Sequence, residues 1–439
     1  MLHPFMGIED WERVGMSVEQ SARKLQRIGY VDRQLMRIEA GHMAARPEYE
    51  VKGALARLAW QDADHHDQIR KRIKQLRMST VAFDKCPDAA LEALTVRVLD
   101  SETTLNLLTA LFEVVKPAQI AVIRTYMQQA QPLVDEPTLH MLKHQLIDRE
   151  EQLVWGRQAL AHFAGIATAS EQADASRWKT YLQALLAAAG GIDGSAERVP
   201  LDPAFVVEAR PFALPFVSTR DSRFRSQVVK FQDLPFEDND EGRFLQMMLS
   251  RYFEMSPAEG IAYVHFATEG KPWDFYLDTA RHMWDEVRHS WFGEAALRAK
   301  GYDVYQFANW TGWYDMTAQL YEGSEAYSHL TIAIEKAAMK YPPGKREEWE
   351  FCRDRAKDPL MTTFQDFDWA DEVVHAGFGQ RWLIDDVHGG DVRAAQEEAE
   401  RTVQKRAAYM AAHARGEQGA GEYGGRGERS LPGGFAGNY

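Results

Sequence analysis

The chain has 439 residues, a formal net charge of −14 and 45% apolar residues, room for two or three domains with sizeable cores. It carries no basic run of the kind that binds nucleic acid. Two cysteines, Cys86 and Cys352, exclude a disulfide framework and point to a reducing, cytoplasmic setting. The opening stretch MLHPFMGIEDWERVG lacks the basic and apolar regions of a signal peptide. No apolar run of roughly 18 residues predicts a membrane span.

In chain order, apolar residues at helical spacing (Leu25, Ile28, Leu35, Ile38) predict a helix over 17–44. A second covers 48–77 and ends in the basic string RKRIKQLR. A third covers 88–115 and stops before Pro117, and a shorter one covers 118–131. Asp135-Glu136-Pro137 opens another that runs to about 164, with proline in the first turn, where its missing N–H costs nothing. The texture then changes: GGIDGS and four prolines between 200 and 215 predict a partly extended connector, either wrapped over a bundle or acting as a lid. Helices are predicted again at 241–269, 273–299, 311–341, 345–356, 359–386 and 390–413. The Gly-rich tail is expected to be disordered, with Tyr423, Phe435 and Tyr439 available to pin it to a neighbouring subunit. The expected organisation is all-α: a bundle over 1–165, a connector over 166–240, a second bundle over 241–413 and a tail over 414–439.

Two strings carry the chemistry. Asp285-Glu286-Val287-Arg288-His289 is echoed by Asp371-Glu372-Val373-Val374-His375. Three residues apart on a helix is one face, so Glu286 with His289, and Glu372 with His375, can each reach one metal ion. Two such helices facing each other, with a carboxylate from each of two more, make a bundle-core di-metal site. The plainer reading is two solvated acidic helices with incidental histidines.

The paired motifs resemble the ferritin-like di-iron carboxylate superfamily, and the Asp-Glu-x-Arg-His form at 285–289 is similar to its oxygen-activating members. The resemblance implies that each motif Asp orients the histidine of the opposite helix. Asp285 would then hold His375 and Asp371 would hold His289, with Arg288 alongside. It also implies two iron ions, with a mixed manganese–iron pair as the alternative.

A repeat runs through the chain. Ala56-Arg57, Trp60, Asp62 and His65 align with Ala280-Arg281, Trp284, Glu286 and His289 at an offset of 224 (284 − 60). Trp155-Gly156 aligns with Phe378-Gly379 at 223 (379 − 156), and Pro137 with Pro359 at 222 (359 − 137). In this register Arg149 stands opposite Glu372 and Gln152 opposite His375. A guanidinium cannot ligate a metal, so the first bundle reads as a degenerate, metal-free copy. A mononuclear site on Asp62, His65 and His66 is the alternative.

The remaining carboxylates are less determined. Leu245, Met248, Tyr252, Met255, Glu259, Ala262 and Phe266 form a stripe that is apolar except at Glu259, which is therefore expected to be a ligand. Ser256-Pro257-Ala258-Glu259 is also a capping box, and if that cap is used Glu254 takes the role. On the helix predicted over 311–341, Glu325 is the expected ligand, with Glu322 and His329 as alternatives. Its separation from Glu372, 372 − 325 = 47 residues, is wider than is usual in that superfamily. Glu335 is set aside as too near the helix end. His265, His282 and His329 read as packed histidines, and Tyr263, Trp284, Tyr321 and Trp369 as core or as an electron relay.

The expected function is an enzyme, a di-iron oxygenase that activates O2 to oxidise a small organic substrate. Electrons are expected from a separate reductase or ferredoxin, because no flavin, nicotinamide or iron–sulfur motif is recognised. A homodimer is expected. The alternatives are an iron-binding, ferroxidase or peroxide-handling protein, and a metal-free helical scaffold.

Overall fold

The computed structural model describes residues 2–232 and 234–415, so the Gly-rich tail from Gly416 lies outside the described residues. The described chain is all-α, apart from a two-residue parallel pairing of Ser226–Gln227 with Asn309–Trp310. It divides into two compact units. One comprises the chain up to Ile38 with Gln61–Phe212, and the other comprises Glu39–Trp60 with the chain from Ala213 onward. The division differs from the boundaries expected at 165 and 240, because two long helices, α1 (Val18–Ala45) and α2 (Tyr49–Gln75), each contribute to both units.

In the first unit, α1 and α2 are followed by α3 (Thr80–Phe83) and α4 (Ala89–Leu99). Next comes α5 (Thr104–Thr109), which passes through a π-helical stretch, Ala110–Val115, into α6 (Lys116–Gln129). Then come α7 (Glu136–Ile166) and α8 (Ala169–Ala188). Helix starts are set by local chemistry. Asp88 accepts from the N–H groups of Ala90 and Leu91, and Thr168 with Glu171 forms a reciprocal capping box. Helix α8 packs on α4 and α5, so the helical unit continues past 165 into the stretch expected to be connector. The continuous helix Thr104–Gln129 is long and apolar enough to cross a membrane by length and composition, and 72% of its most apolar window is buried inside the protein. No other described helix passes that test.

The second unit is built from α9 (Asp240–Tyr252), α10 (Met255–Ala267), α11 (Trp273–Ala299), α12 (Gly312–Gln319) and α13 (Glu325–Ser328). Helix α13 runs on as π-helical turns over His329–Lys336. Then come α14 (Lys345–Asp354), α15 (Pro359–Gly379), which continues as π turns over Gln380–Val387, and α16 (Val392–Ala414). Helix α11 is the centre of the unit and packs against α9, α10 and α15. At Gly293 the approach is close enough that a Cβ would lie 2.0 Å from the Tyr252 nitrogen, so only glycine fits.

The helix expected over 88–115 is interrupted at 100–103, between α4 and α5, and does not stop before Pro117 but runs on to Gln129. Two further expected helices are broken. The stretch 241–269 is interrupted at Phe253 and Glu254, between α9 and α10. The stretch 311–341 is interrupted at 320–324, where Gly323 has φ +53°, and the helix starts afresh at Glu325. Both breaks decide which carboxylates face inward.

Candidate metal centre

Helix α11 presents His282, Glu286 and His289 on one face, at the i, i+4, i+7 spacing. Helix α15 presents Asp368, Glu372 and His375 in the same way. Glu254 comes from the junction of α9 and α10, and Glu335 from the π turns after α13. Their side-chain donor atoms converge into three overlapping groups: His282, Glu286, Glu335 and His375; Glu254, His289 and Asp368; Glu286, His289 and Glu372. Within each group the donor atoms lie within 4.8 Å of one another.

Each motif histidine is held from behind by the acid of the other motif. His289 Nε2 lies 3.2 Å from Asp371 Oδ2, and His375 Nε2 lies 3.3 Å from Asp285 Oδ2. With Nε2–H donating to the carboxylate, Nδ1 of each ring is the free donor. These Nδ1 atoms point inward, 3.6 Å from Glu286 Oε1 in both cases. Arg288 bridges the two orienting acids, with Nη2 2.9 Å from Asp371 and also paired with Asp285. The third imidazole, His282, stacks on His375 with ring centroids 3.9 Å apart. Its Nε2 lies 2.9 Å from Glu335 Oε1, and its Nδ1 lies 3.1 Å from the Tyr327 hydroxyl.

Two cations line the other side. Arg251 Nη1 is 2.6 Å from Asp368 Oδ1 and 3.0 Å from Glu254 Oε1. Lys345 Nζ is 2.9 Å from both Asp368 Oδ2 and Glu372 Oε1. Each of these cations takes one oxygen of its glutamate, Oε1, and leaves Oε2 without a partner. The buried atoms with no hydrogen-bond partner include Glu254 Oε2, Glu286 Oε1, His289 Nδ1, Glu335 Oε2, Glu372 Oε2 and His375 Nδ1.

The electrostatics record the crowding. Burial pushes Glu254 up to about 8 against the pull of Arg251. Burial, reinforced by Glu372 and Glu286, holds Glu335 well above the ordinary carboxylate range. Burial would raise Glu372 as well, but Lys345 brings it down. Burial alone would disfavour an imidazolium at His289, yet Asp368, Asp371 and Glu286 around it raise its pKa well above the ordinary value. Carboxylates this close and this dry either hold a proton or are compensated by a cation among them. The donor set, imidazole nitrogen and carboxylate oxygen, fits divalent iron or manganese.

Glu286, His289, Glu372 and His375 thus meet in one cluster, with Asp285, Arg288 and Asp371 behind them. Glu259 does not join them. It is fully buried elsewhere, 2.7 Å from Lys52 Nζ, 2.9 Å from Arg220 Nη2 and 3.0 Å from Ser218 Oγ. Its apolar stripe ignored the break at Phe253 and Glu254. The capping box is not formed either, since Ser256 Oγ accepts from the N–H groups of Trp313 and Tyr314. Glu254, the alternative, is the residue that faces the cluster.

Glu325 is likewise elsewhere, 2.7 Å from Lys405 Nζ, and Glu322 is exposed. His329 sits between Trp313 and Tyr321, with Nδ1 2.8 Å from Thr402 Oγ1 and its pKa lowered by burial to about 3. Glu335 takes the place expected of Glu325. With the helix restarting at Glu325, Glu335 lies 10 residues in (335 − 325), comparable to Glu372 at 13 residues into α15 (372 − 359). Sequence reasoning also passed over His282, Asp368, Arg251 and Lys345. The first two carry a usable signal, each standing four residues before a motif Glu. The two cations carry none.

In the first unit the position aligned with Glu372 holds a cation, Arg149, and a second cation, Lys116, shares its partner Asp62. Arg149 Nη2 is 2.8 Å from Asp32 Oδ1 and Nη1 is 3.5 Å from Asp62 Oδ1, while Lys116 Nζ is 2.6 Å from Asp62 Oδ2. All four side chains are buried. His66 points away, with Nδ1 2.7 Å from the Gly29 carbonyl. No protein-family model matches this chain, and comparison with curated proteins and with solved structures gives no match.

Proposed function

We propose that the second unit is an O2-activating di-iron enzyme that oxidises a small organic molecule. The observation that carries the reading is the set of six inward-facing buried donor atoms without partners, drawn from four separate segments. An unpaired buried polar atom costs about 1–3 kcal/mol, and six in one place make sense as the ligand shell of a cation. Glu286 Oε1 stands between the two imidazoles, 3.6 Å from each Nδ1, and Glu286 would hold metal together with Glu335, His282 and His375 on one side and Glu254, His289 and Glu372 on the other.

Iron bound there would supply one-electron chemistry toward O2. The chain's own part is to hold the histidines in one tautomer through Asp285 and Asp371, and to keep water out by burial. Electrons would reach the centre from a separate reductase or ferredoxin. The wide separation that told against Glu325 shortens to 372 − 335 = 37 residues with Glu335 as the ligand. The first unit, with Arg149 where the second has Glu372 and Lys116 beside it on Asp62, is read as a duplicated bundle whose metal charge has been replaced by side-chain charge.

The test is anaerobic reconstitution with Fe(II), an iron count per chain, and optical spectra after O2 is added. About two irons per chain, reduced in both His289→Ala and His375→Ala, with ferric charge-transfer absorption on exposure to O2, is the expected result. An undiminished iron count in both variants sinks the assignment. Iron that binds and stays ferrous in O2 leaves a metal site without the proposed activity.

A further inference from the structure

We propose that the two halves of the cluster bind metal unequally. The half formed by His282, Glu286, Glu335 and His375 fills first and tightly. The half formed by Glu254, His289, Glu372 and Asp368 fills second and weakly, because Arg251 and Lys345 already engage its carboxylates. The inference rests on the dinuclear reading above and concerns how that centre is loaded.

The first half contains two imidazoles and two carboxylates, and no Lys or Arg is paired with any of the four. Its net charge with both glutamates ionised is −2. The second half contains three carboxylates and one free imidazole nitrogen, but two fixed cations stand on those carboxylates. Arg251 contacts Glu254 and Asp368, and Lys345 contacts Asp368 and Glu372. Its net charge with all three carboxylates ionised is −3 + 2 = −1. Asp368 has both oxygens engaged, Oδ1 by Arg251 and Oδ2 by Lys345. It therefore serves the cations before it serves a metal. Glu254 and Glu372 each offer one oxygen whose partner oxygen already holds a cation.

A divalent ion entering the second half would sit across a carboxylate from an ammonium or a guanidinium, in a dry environment where charges are poorly screened. An ion entering the first half has no ammonium or guanidinium paired with its ligands and meets less repulsion. Lys345 and Arg251 are thus positioning residues. They aim the free Oε2 atoms inward, as Asp285 and Asp371 aim the imidazoles, and they weaken the second ion in doing so. At limiting metal the chain holds one ion, and the second half stays open to whichever divalent ion is abundant.

The experiment is a titration of the full, metal-free chain with Mn(II), following the free Mn(II) signal by electron paramagnetic resonance and the heat by calorimetry. Two classes of site, differing in affinity by at least about tenfold, are expected. His282→Ala should remove the tight class. Lys345→Met should tighten the weak class by about tenfold or more and leave the tight class unmoved, with Lys345→Gln as a second variant if the first does not fold. Two equal sites in the wild-type chain overturn the inference and leave the dinuclear reading standing. So does a weak class that becomes weaker, or is still absent, in Lys345→Met. No Mn(II) or Fe(II) binding at any concentration sinks both.

Discussion

In the first unit His65 Nε2 lies 3.0 Å from Asp148 Oδ2. The aligned residues of the second unit, His289 (65 + 224) and Asp371 (148 + 223), make the same pair at 3.2 Å. The companion pair recurs as well. Gln152 donates to Gln61 at 3.0 Å where His375 meets Asp285 at 3.3 Å, at offsets of 223 and 224. Two cross-helix contacts repeated at offsets of 223 and 224 support the proposed duplication. Where the second unit has His375 and Asp285 the first has two amides, and where the second has Glu372 the first has Arg149.

Arg149→Met should therefore be costly without touching the metal. It leaves Asp32 with Gln119 alone and Asp62 with Lys116 as its cation. Removing one partner of a buried ion pair costs about 3–5 kcal/mol. Urea unfolding should show a loss of that order, with the iron count per chain unchanged.

The four glutamates in dispute should separate by two readouts. Glu254→Gln and Glu335→Gln should each lower bound iron. Glu259→Gln should keep the iron but lose about 3–5 kcal/mol, because Lys52 and Arg220 are left as buried charges short of a partner. Glu325→Gln should keep the iron and stay within about 1 kcal/mol of wild type, because its pair with Lys405 is partly exposed. Iron analysis and denaturant melts on the four variants check all of this.

Gly293→Val should disturb the second half of the cluster from a distance. Its new side chain would strike the backbone at Tyr252 and Met248, forcing α9 away from α11. Glu254 lies two residues beyond Tyr252, so it should move too. The expected outcome is a loss of about 1–3 kcal/mol or more, together with loss of the weaker metal. Full metal binding in a destabilised protein would contradict it.

His66 should make the protein acid-sensitive. Burial lowers its pKa from 6.5 to about 3 in the fold. The unfolded chain therefore binds the extra proton between those values, and stability falls as pH drops from about 6.5 toward 3. The full span corresponds to something on the order of 4–5 kcal/mol. His66→Gln should flatten the slope of unfolding free energy against pH in that window, measured with metal absent so that the cluster's own titration is common to both proteins.

The helices, the all-α class and the two Asp-Glu-x-x-His faces were determined by the sequence itself. Periodicity and i, i+3 spacing are local, and a helix carries them wherever it packs. Asp285 opposite His375, and Asp371 opposite His289, were implied only by the resemblance of the motif pair to the di-iron carboxylate superfamily, and both contacts are present in the fold. The choice of Glu254 over Glu259 and of Glu335 over Glu325 was decided only by tertiary structure. It depended on the breaks at Phe253 and Gly323 and on π turns that shift the helical register, none of which a regular period can contain. It depended also on Lys52, 207 residues before Glu259 (259 − 52), which claims that carboxylate only once the chain has folded. Arg251 and Lys345 entered the cluster the same way, as charges whose partners the fold brings to them.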